Sequence, residues 1–118
     1  MFDLIFYKTI NGREPAKDFL KSLDKQTKLL VNDDLGDLEE KGNSLKMPKS
    51  KPLGDGLFEL RTKGIDKITR IFYFFYIGNN IVLTNGYVKK TEKADANELK
   101  KAREYKKDFE RREGSKKQ

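Results

Sequence analysis

The spacing of apolar residues along this chain changes several times, and each change marks the edge of an element. Residues 2 to 7 are aromatic and aliphatic apart from Asp3 and run on to Asn11-Gly12, which predicts an opening strand followed by a turn. The period then lengthens. Pro15 suits the first turn of a helix, and Ala16, Phe19, Leu20 and Leu23 fall at i, i+3, i+4 and i+7 on one face. Asp24 is placed to cap a second helix with a buried stripe of Thr27, Leu30, Val31, Leu35 and Leu38, and Lys41-Gly42 supplies its stop.

Residues 43 to 56 carry Gly, Pro and Ser with Lys46, Lys49 and Lys51, so they read as a basic connecting loop. Strands are predicted at 57–63, 68–77 and 80–89, joined at Gly64-Ile65-Asp66-Lys67 and at Gly78-Asn79-Asn80. The middle strand is apolar at nearly every position, which predicts a central place with both faces covered, and Arg70 is the exception within it. Asp95 and Glu98 form a capping-box-like start to a last helix with Leu99, Ala102, Tyr105 or Lys106, and Phe109 along one side. One α+β domain over 1–113 follows: an N-terminal strand plus a three-stranded antiparallel meander, two N-terminal helices, a C-terminal helix, and a frayed basic tail at 114–118.

Charge changes the picture. Twenty-six Lys and Arg residues stand against nineteen Asp and Glu, a net charge of +7 that favours a polyanionic partner. With neither cysteine nor histidine, the chain has no thiolate nucleophile, zinc finger or imidazole acid/base, so any chemistry must use Lys, Arg, Tyr, Asp or Glu. The opening residues do not resemble a signal peptide and no apolar run approaches a membrane span, so a cytoplasmic location without membrane association is the expectation.

Strand register brings the charges together, because residues opposite one another in an antiparallel pair share a face. A turn over the four residues 64–67 sets Lys63 opposite Ile68 and Arg61 opposite Arg70. A two-residue turn at Asn79-Asn80 then sets Arg70 opposite Lys89 and Phe72 opposite Tyr87, whereas an odd-length loop moves Lys90 onto that face instead. Glu59, Arg61, Arg70, Tyr87 and Lys89 or Lys90 form the resulting constellation. Two facing arginines repel unless an anion visits, and a phosphate is the obvious one. Cleaving RNA there requires a base for the 2′-hydroxyl, either Glu59 or a lysine, and Tyr87 or Tyr73 to stack on a nucleobase or donate a proton. In the plainer alternative, Glu59 and Asp66 pair with the arginines as ordinary solvated residues of the sheet.

The stretches Lys51-Pro52-Leu53-Gly54-Asp55-Gly56-Leu57-Phe58-Glu59-Leu60-Arg61, Thr69-Arg70-Ile71-Phe72-Tyr73 and Tyr87-Val88-Lys89-Lys90-Thr91-Glu92-Lys93 together resemble the phage-derived, Gp49-like HigB branch of the RelE toxin superfamily. The resemblance spans nearly the whole chain. It implies a RelE-like fold and a metal-independent, cofactor-free mRNA endoribonuclease that acts on ribosomes and is neutralised by a helix-turn-helix, HigA-like antitoxin. DNA would then be met only through that antitoxin. By position, Arg70 resembles the arginine that steadies the scissile phosphate, Arg61 the first-strand arginine, and Lys89-Lys90 the terminal basic pair. Lys49, Lys51, Lys63, Lys67 and Tyr73 are candidates for further RNA contact. In two departures from the family pattern, residues 92–96 hold neither His nor Tyr, and Asp95 replaces a proline at the last helix start. A non-catalytic basic module that binds RNA, DNA or a protein is the competing reading, ahead of a structural ribosome-associated protein.

Overall fold

The opening aromatic run forms β1 (Asp3–Phe6), and two helices follow, α1 (Pro15–Ser22) and α2 (Lys25–Lys41). The computed structural model describes residues 1–89 and 95–116. Pro15 begins α1, whose Ala16 is buried with Phe19 and Leu20 packed beside it. Asp24 caps α2, its carboxylate accepting from the Thr27 amide at 3.0 Å and the Thr27 hydroxyl at 2.6 Å. Those bonds and Lys67 hold the Asp24 carboxyl well below the usual carboxylate range. Gly42, at a φ of 53°, ends α2 where the Phe2 ring leaves no room for a Cβ.

Four more strands complete the sheet: β2 (Ser50–Gly54), β3 (Leu57–Lys63), β4 (Ile68–Tyr76) and β5 (Asn80–Lys89), in the order β1-β5-β4-β3-β2. Two corrections follow. The segment expected as a loop contains β2, an edge strand antiparallel to β3, where Pro52 is tolerated because the outer side needs no ladder donor. The sheet is also mixed, since β1 runs parallel to β5 with Ile5 beside Val82. The last helix, α3 (Ala96–Lys116), continues through Gly114, past the expected boundary at 113.

The sheet separates two cores. On one face α1 and α2 cover Leu60, Ile71, Tyr73, Ile81 and Leu83 with Val31, Leu35 and Leu38. On the other, Leu99, Ala102, Tyr105 and Phe109 of α3 pack on Leu57, Phe72, Phe74 and Val82. Coverage on both sides accounts for the unbroken apolar run of β4. α3 is tied down at its far end by Tyr7, whose hydroxyl donates to Asp108 at 2.5 Å and whose ring stacks on Tyr105 at 4.8 Å. Burial and the Asp108 carboxylate push the Tyr7 pKa up to about 12. One expected core residue lies elsewhere: Leu30 faces outward on α2, 39% exposed, beside the still more exposed Leu29.

The register of β4 against β5 differs from expectation in two places whose effects on facing cancel, while the partners shift by two residues: Arg70 meets Tyr87 and not Lys89, and Phe72 meets the bulge and not Tyr87. Tyr76 pairs with Asn80, so the connecting loop has three residues, 77–79, with Gly78 at a φ of 80°. An odd loop alone moves Lys89 off the Arg70 face. A β-bulge then sets Thr84 and Asn85 opposite Phe72 alone and restores the parity, so Arg70 pairs with Tyr87 and Ile68 with Lys89. The bulge is pinned from both sides: Thr84 Oγ1 lies 2.8 Å from Asn85 Oδ1, and Asn85 Nδ2 donates to the Glu98 carbonyl of α3 at 3.1 Å.

Gly86, just past the bulge, permits the close approach of α1. A Cβ there would lie 2.5 Å from Phe19 Cδ2 and 2.9 Å from the Arg70 carbonyl oxygen. Gly86→Ala should therefore lose about 1–3 kcal/mol of stability by overpacking. Gly36→Ala, in open space on α2, should gain about 0.5–1 kcal/mol. Urea unfolding measures both, and a Gly86→Ala variant as stable as the parent contradicts the packing described.

Candidate functional site

Three strands present one face to the start of α3, and the polar residues on it gather where β3, β4 and β5 extend past the apolar core. Arg61 lies opposite Arg70, and Glu59 opposite Phe72, as the four-residue turn requires. Tyr87 stands across from Arg70 on the other side, and Lys89 across from Ile68. Lys51 of β2 pairs with Glu59 and so shares the face, as does Lys63, two residues beyond Arg61. The structure thus unites Glu59, Arg61, Arg70, Tyr87, Lys89, Lys51 and Lys63. Lys90 lies outside the described residues, as do residues 91–94.

At the centre is an ion pair with almost no solvent contact. The Glu59 and Arg70 side chains are 1% and 5% exposed, and Arg70 Nη1 reaches both carboxylate oxygens, at 2.8 and 3.1 Å. Arg61 stands at the rim, about a quarter exposed, with its Nε 4.0 Å from the same Glu59 oxygen. One carboxylate therefore sits between two guanidinium groups and relieves the repulsion that their facing positions create. It does not use all that Arg70 offers. Arg70 Nε is buried and has no hydrogen-bond partner among the described residues. An unpartnered buried donor costs about 1–3 kcal/mol; Thr69 Oγ1 and Arg112 Nε are also buried without a partner, and Arg70 Nε is the one on the strand position between Arg61 and Tyr87.

Tyr87 and Lys89 complete the rim. The Tyr87 ring stacks on Phe72 with centroids 5.8 Å apart, and its hydroxyl oxygen accepts from the Asp95 amide at 3.3 Å. Its own proton makes no hydrogen bond among the described residues. Asp95 also caps α3, accepting from the Asn97 amide at 3.0 Å and the Glu98 amide at 3.2 Å, which fixes the helix start beside the site. Lys51, Lys63 and Lys89 form no ion pair among the described residues, so their charges add to the field over Arg61 and Arg70.

Three expected contacts fall elsewhere. Tyr73 points to the opposite face, fully buried among the helices, with its hydroxyl hydrogen-bonded to Ser50 Oγ. Burial raises its pKa, and it is a core residue with no surface for stacking on RNA. Lys49 bridges to α2 through Asp34 at 3.0 Å and Asp37 at 2.8 Å, which raises the lysine pKa and lowers that of Asp37. Lys67 pairs with Asp24 at 3.1 Å. Both lysines fasten strands to α2, and neither joins the Arg70 group. Sequence reasoning missed the Asn85–Glu98 link that aligns α3 with the site. An Asn followed by Gly inside a predicted strand was the available signal, since that pair marks a break in regular pairing.

The pair is also structural, which changes how the site can be probed. Arg70→Ala leaves the Glu59 carboxylate buried and unpaired and should cost about 3–5 kcal/mol. Adding Glu59→Gln removes that stranded charge, so the double variant should be the more stable of the two by at least about 1 kcal/mol. Equal or additive losses in urea unfolding would show that the two side chains are not coupled.

A family model for phage-derived Gp49-like proteins matches residues 18–107, from within α1 to the middle of α3. No curated protein matches the chain. The matched span includes every residue of the site described above, and the α+β architecture, a five-stranded curved sheet with three helices, is that of a small RelE-like fold. The chain belongs to the phage-derived Gp49-like family, a family of RelE/HigB-like toxins.

Proposed function

We propose that this chain is the toxin of a toxin–antitoxin pair and acts as a metal-independent endoribonuclease on messages held by the ribosome. The observation that carries this reading is the buried Arg70 with its Nε unpartnered among the described residues, beside Arg61 and on the face that also carries Lys51, Lys63 and Lys89. A guanidinium anchored through Nη1 and with a donor unused at Nε is held in one orientation, ready for a phosphate oxygen once the groups that bury it give way. Arg61 supplies a second donor across the strand pair, and the positive rim draws the polyanion in.

In this reading the ribose 2′-oxygen attacks the adjacent phosphorus and the bond to the 5′-oxygen of the next nucleotide breaks. A rim lysine in its neutral form takes the 2′-hydroxyl proton, because Glu59 is buried and committed to Arg70, and Tyr87 donates its proton to the departing 5′-oxygen. A 2′,3′-cyclic phosphate and a 5′-hydroxyl result. Arg70 and Arg61 hold the charge that gathers on the non-bridging oxygens, the task for which fixed cations contribute most. A toxin of this family implies an antitoxin partner, and a HigA-like helix-turn-helix protein is the proposed one.

Because Arg70 is structural, the test belongs on the rim. Arg61→Ala and Lys89→Ala should each lower the rate of message cleavage on translating ribosomes by about 10²–10³-fold while leaving the folded state intact. Thermal melts check the fold and primer extension reads the cuts. If the parent protein binds RNA but leaves it whole with and without ribosomes, the binding-module reading replaces this one.

A further inference from the structure

The outer face of α2 carries more apolar surface than the core takes up. Leu29 is 58% exposed, and Ile65, at the tip of the β3–β4 hairpin, is 86% exposed. Ile10 and Ile77 are likewise exposed at loop tips, and what distinguishes Ile65 is that it lies beside Leu29 and Leu30. Leu29 and Ile65, with Leu30, line one surface feature. Two clefts of about 480 and 560 Å³ share Leu30 and together form a groove between α2 and the hairpin. Ion pairs bridge the groove walls, Lys49 to Asp34 and Lys67 to Asp24, so its shape is set before anything binds.

The two rims differ in sign. Asp33 stands on the α2 side and makes no ion pair among the described residues, while Lys63 and Arg61 stand on the strand side. Arg61 is also the rim arginine of the phosphate site. The groove therefore ends at the chemistry.

We propose that this groove is the docking site for an amphipathic helix of a protein partner. Its apolar stripe would cover Leu29, Leu30 and Ile65, a basic side chain would meet Asp33, and an acidic one would meet Arg61 and Lys63. Rims of opposite sign fix the direction in which such a helix lies. RNA fits poorly, since it has no aliphatic surface to cover the leucines and its phosphates would face Asp33 and Asp34. A second copy apposing the same groove would set concave surface against concave surface and leave both unfilled. The inference rests on the toxin reading for the partner's identity, an antitoxin, and adds how it neutralises: a carboxylate on Arg61 occupies a donor that the scissile phosphate needs.

The test is a complex of the full chain with the protein encoded by the reading frame adjacent to its gene. Hydrogen exchange should show protection at residues 26–34 and 61–68. Leu29→Asp with Ile65→Asp should weaken binding at least tenfold, with RNA cleavage and thermal stability unchanged. Affinity is read without RNA, so a parent protein that fails to cut RNA sinks the nuclease reading and leaves this one standing. Four results overturn the docking proposal: no complex, protection confined to α3 and the Arg70 face with the double variant binding normally, a parent dimer that the variant splits, or an RNA oligonucleotide that protects the same residues.

Discussion

A carboxylate and a guanidinium buried together between two strands constrain this molecule more than any other contact. Taking Glu59 and Arg70 out of water costs several kcal/mol per ion, and only close, well-directed pairing offsets it. That pairing exists only in one register. A slip of one residue between β3 and β4 sends Arg70 to the face covered by α1 and α2, where Ile71 and Tyr73 now pack, and leaves each ion without its partner. The pair therefore selects against neighbouring registers in the same direction as the apolar pattern does.

Other features protect the same alignment. The odd loop at 77–79 and the bulge at Thr84–Asn85 each shift the face of β5 by one residue, and together they return Tyr87 and Lys89 to Arg70. Asn85 links that bulge to α3, while the far end of α3 is held by Tyr7 and Asp108. The helix start lies beside the site because both ends of the helix are fixed. Gly86 lets α1 approach the backbone behind Arg70, so the arginine is supported from the face opposite its side chain. A preorganised cation of this kind needs little rearrangement when charge develops near it.

Much of this was legible in the sequence, for reasons that vary by element. The facing of Arg61 and Arg70 followed from a four-residue turn whose composition leaves little choice. Lys89 was placed on the correct face by a two-residue turn that does not exist, because the bulge supplies the missing parity. β2 was hidden because Pro, Gly and Lys are tolerated on an edge strand for the same physical reasons that they favour loops. Tyr73 and Arg70 lie three apart on one strand and so face opposite ways, a constraint that alternation alone contains. Leu30 fits the helical period of α2, but the period gives spacing and not how wide a stripe the sheet covers. The burial of Glu59 had no sequence signal beyond its place between Phe58 and Leu60.

The central claim is that Arg70 waits for a phosphate with a buried, unpartnered Nε–H. Arginine side-chain ¹⁵N–¹H spectroscopy observes that proton directly, during titration with a short RNA blocked by 2′-O-methyl groups so that it stays uncut. The account predicts that the Arg70 Nε–H resonance moves downfield at saturation, with Arg61 shifting alongside it. An Arg70 signal that does not move while RNA binding perturbs other surfaces would contradict it.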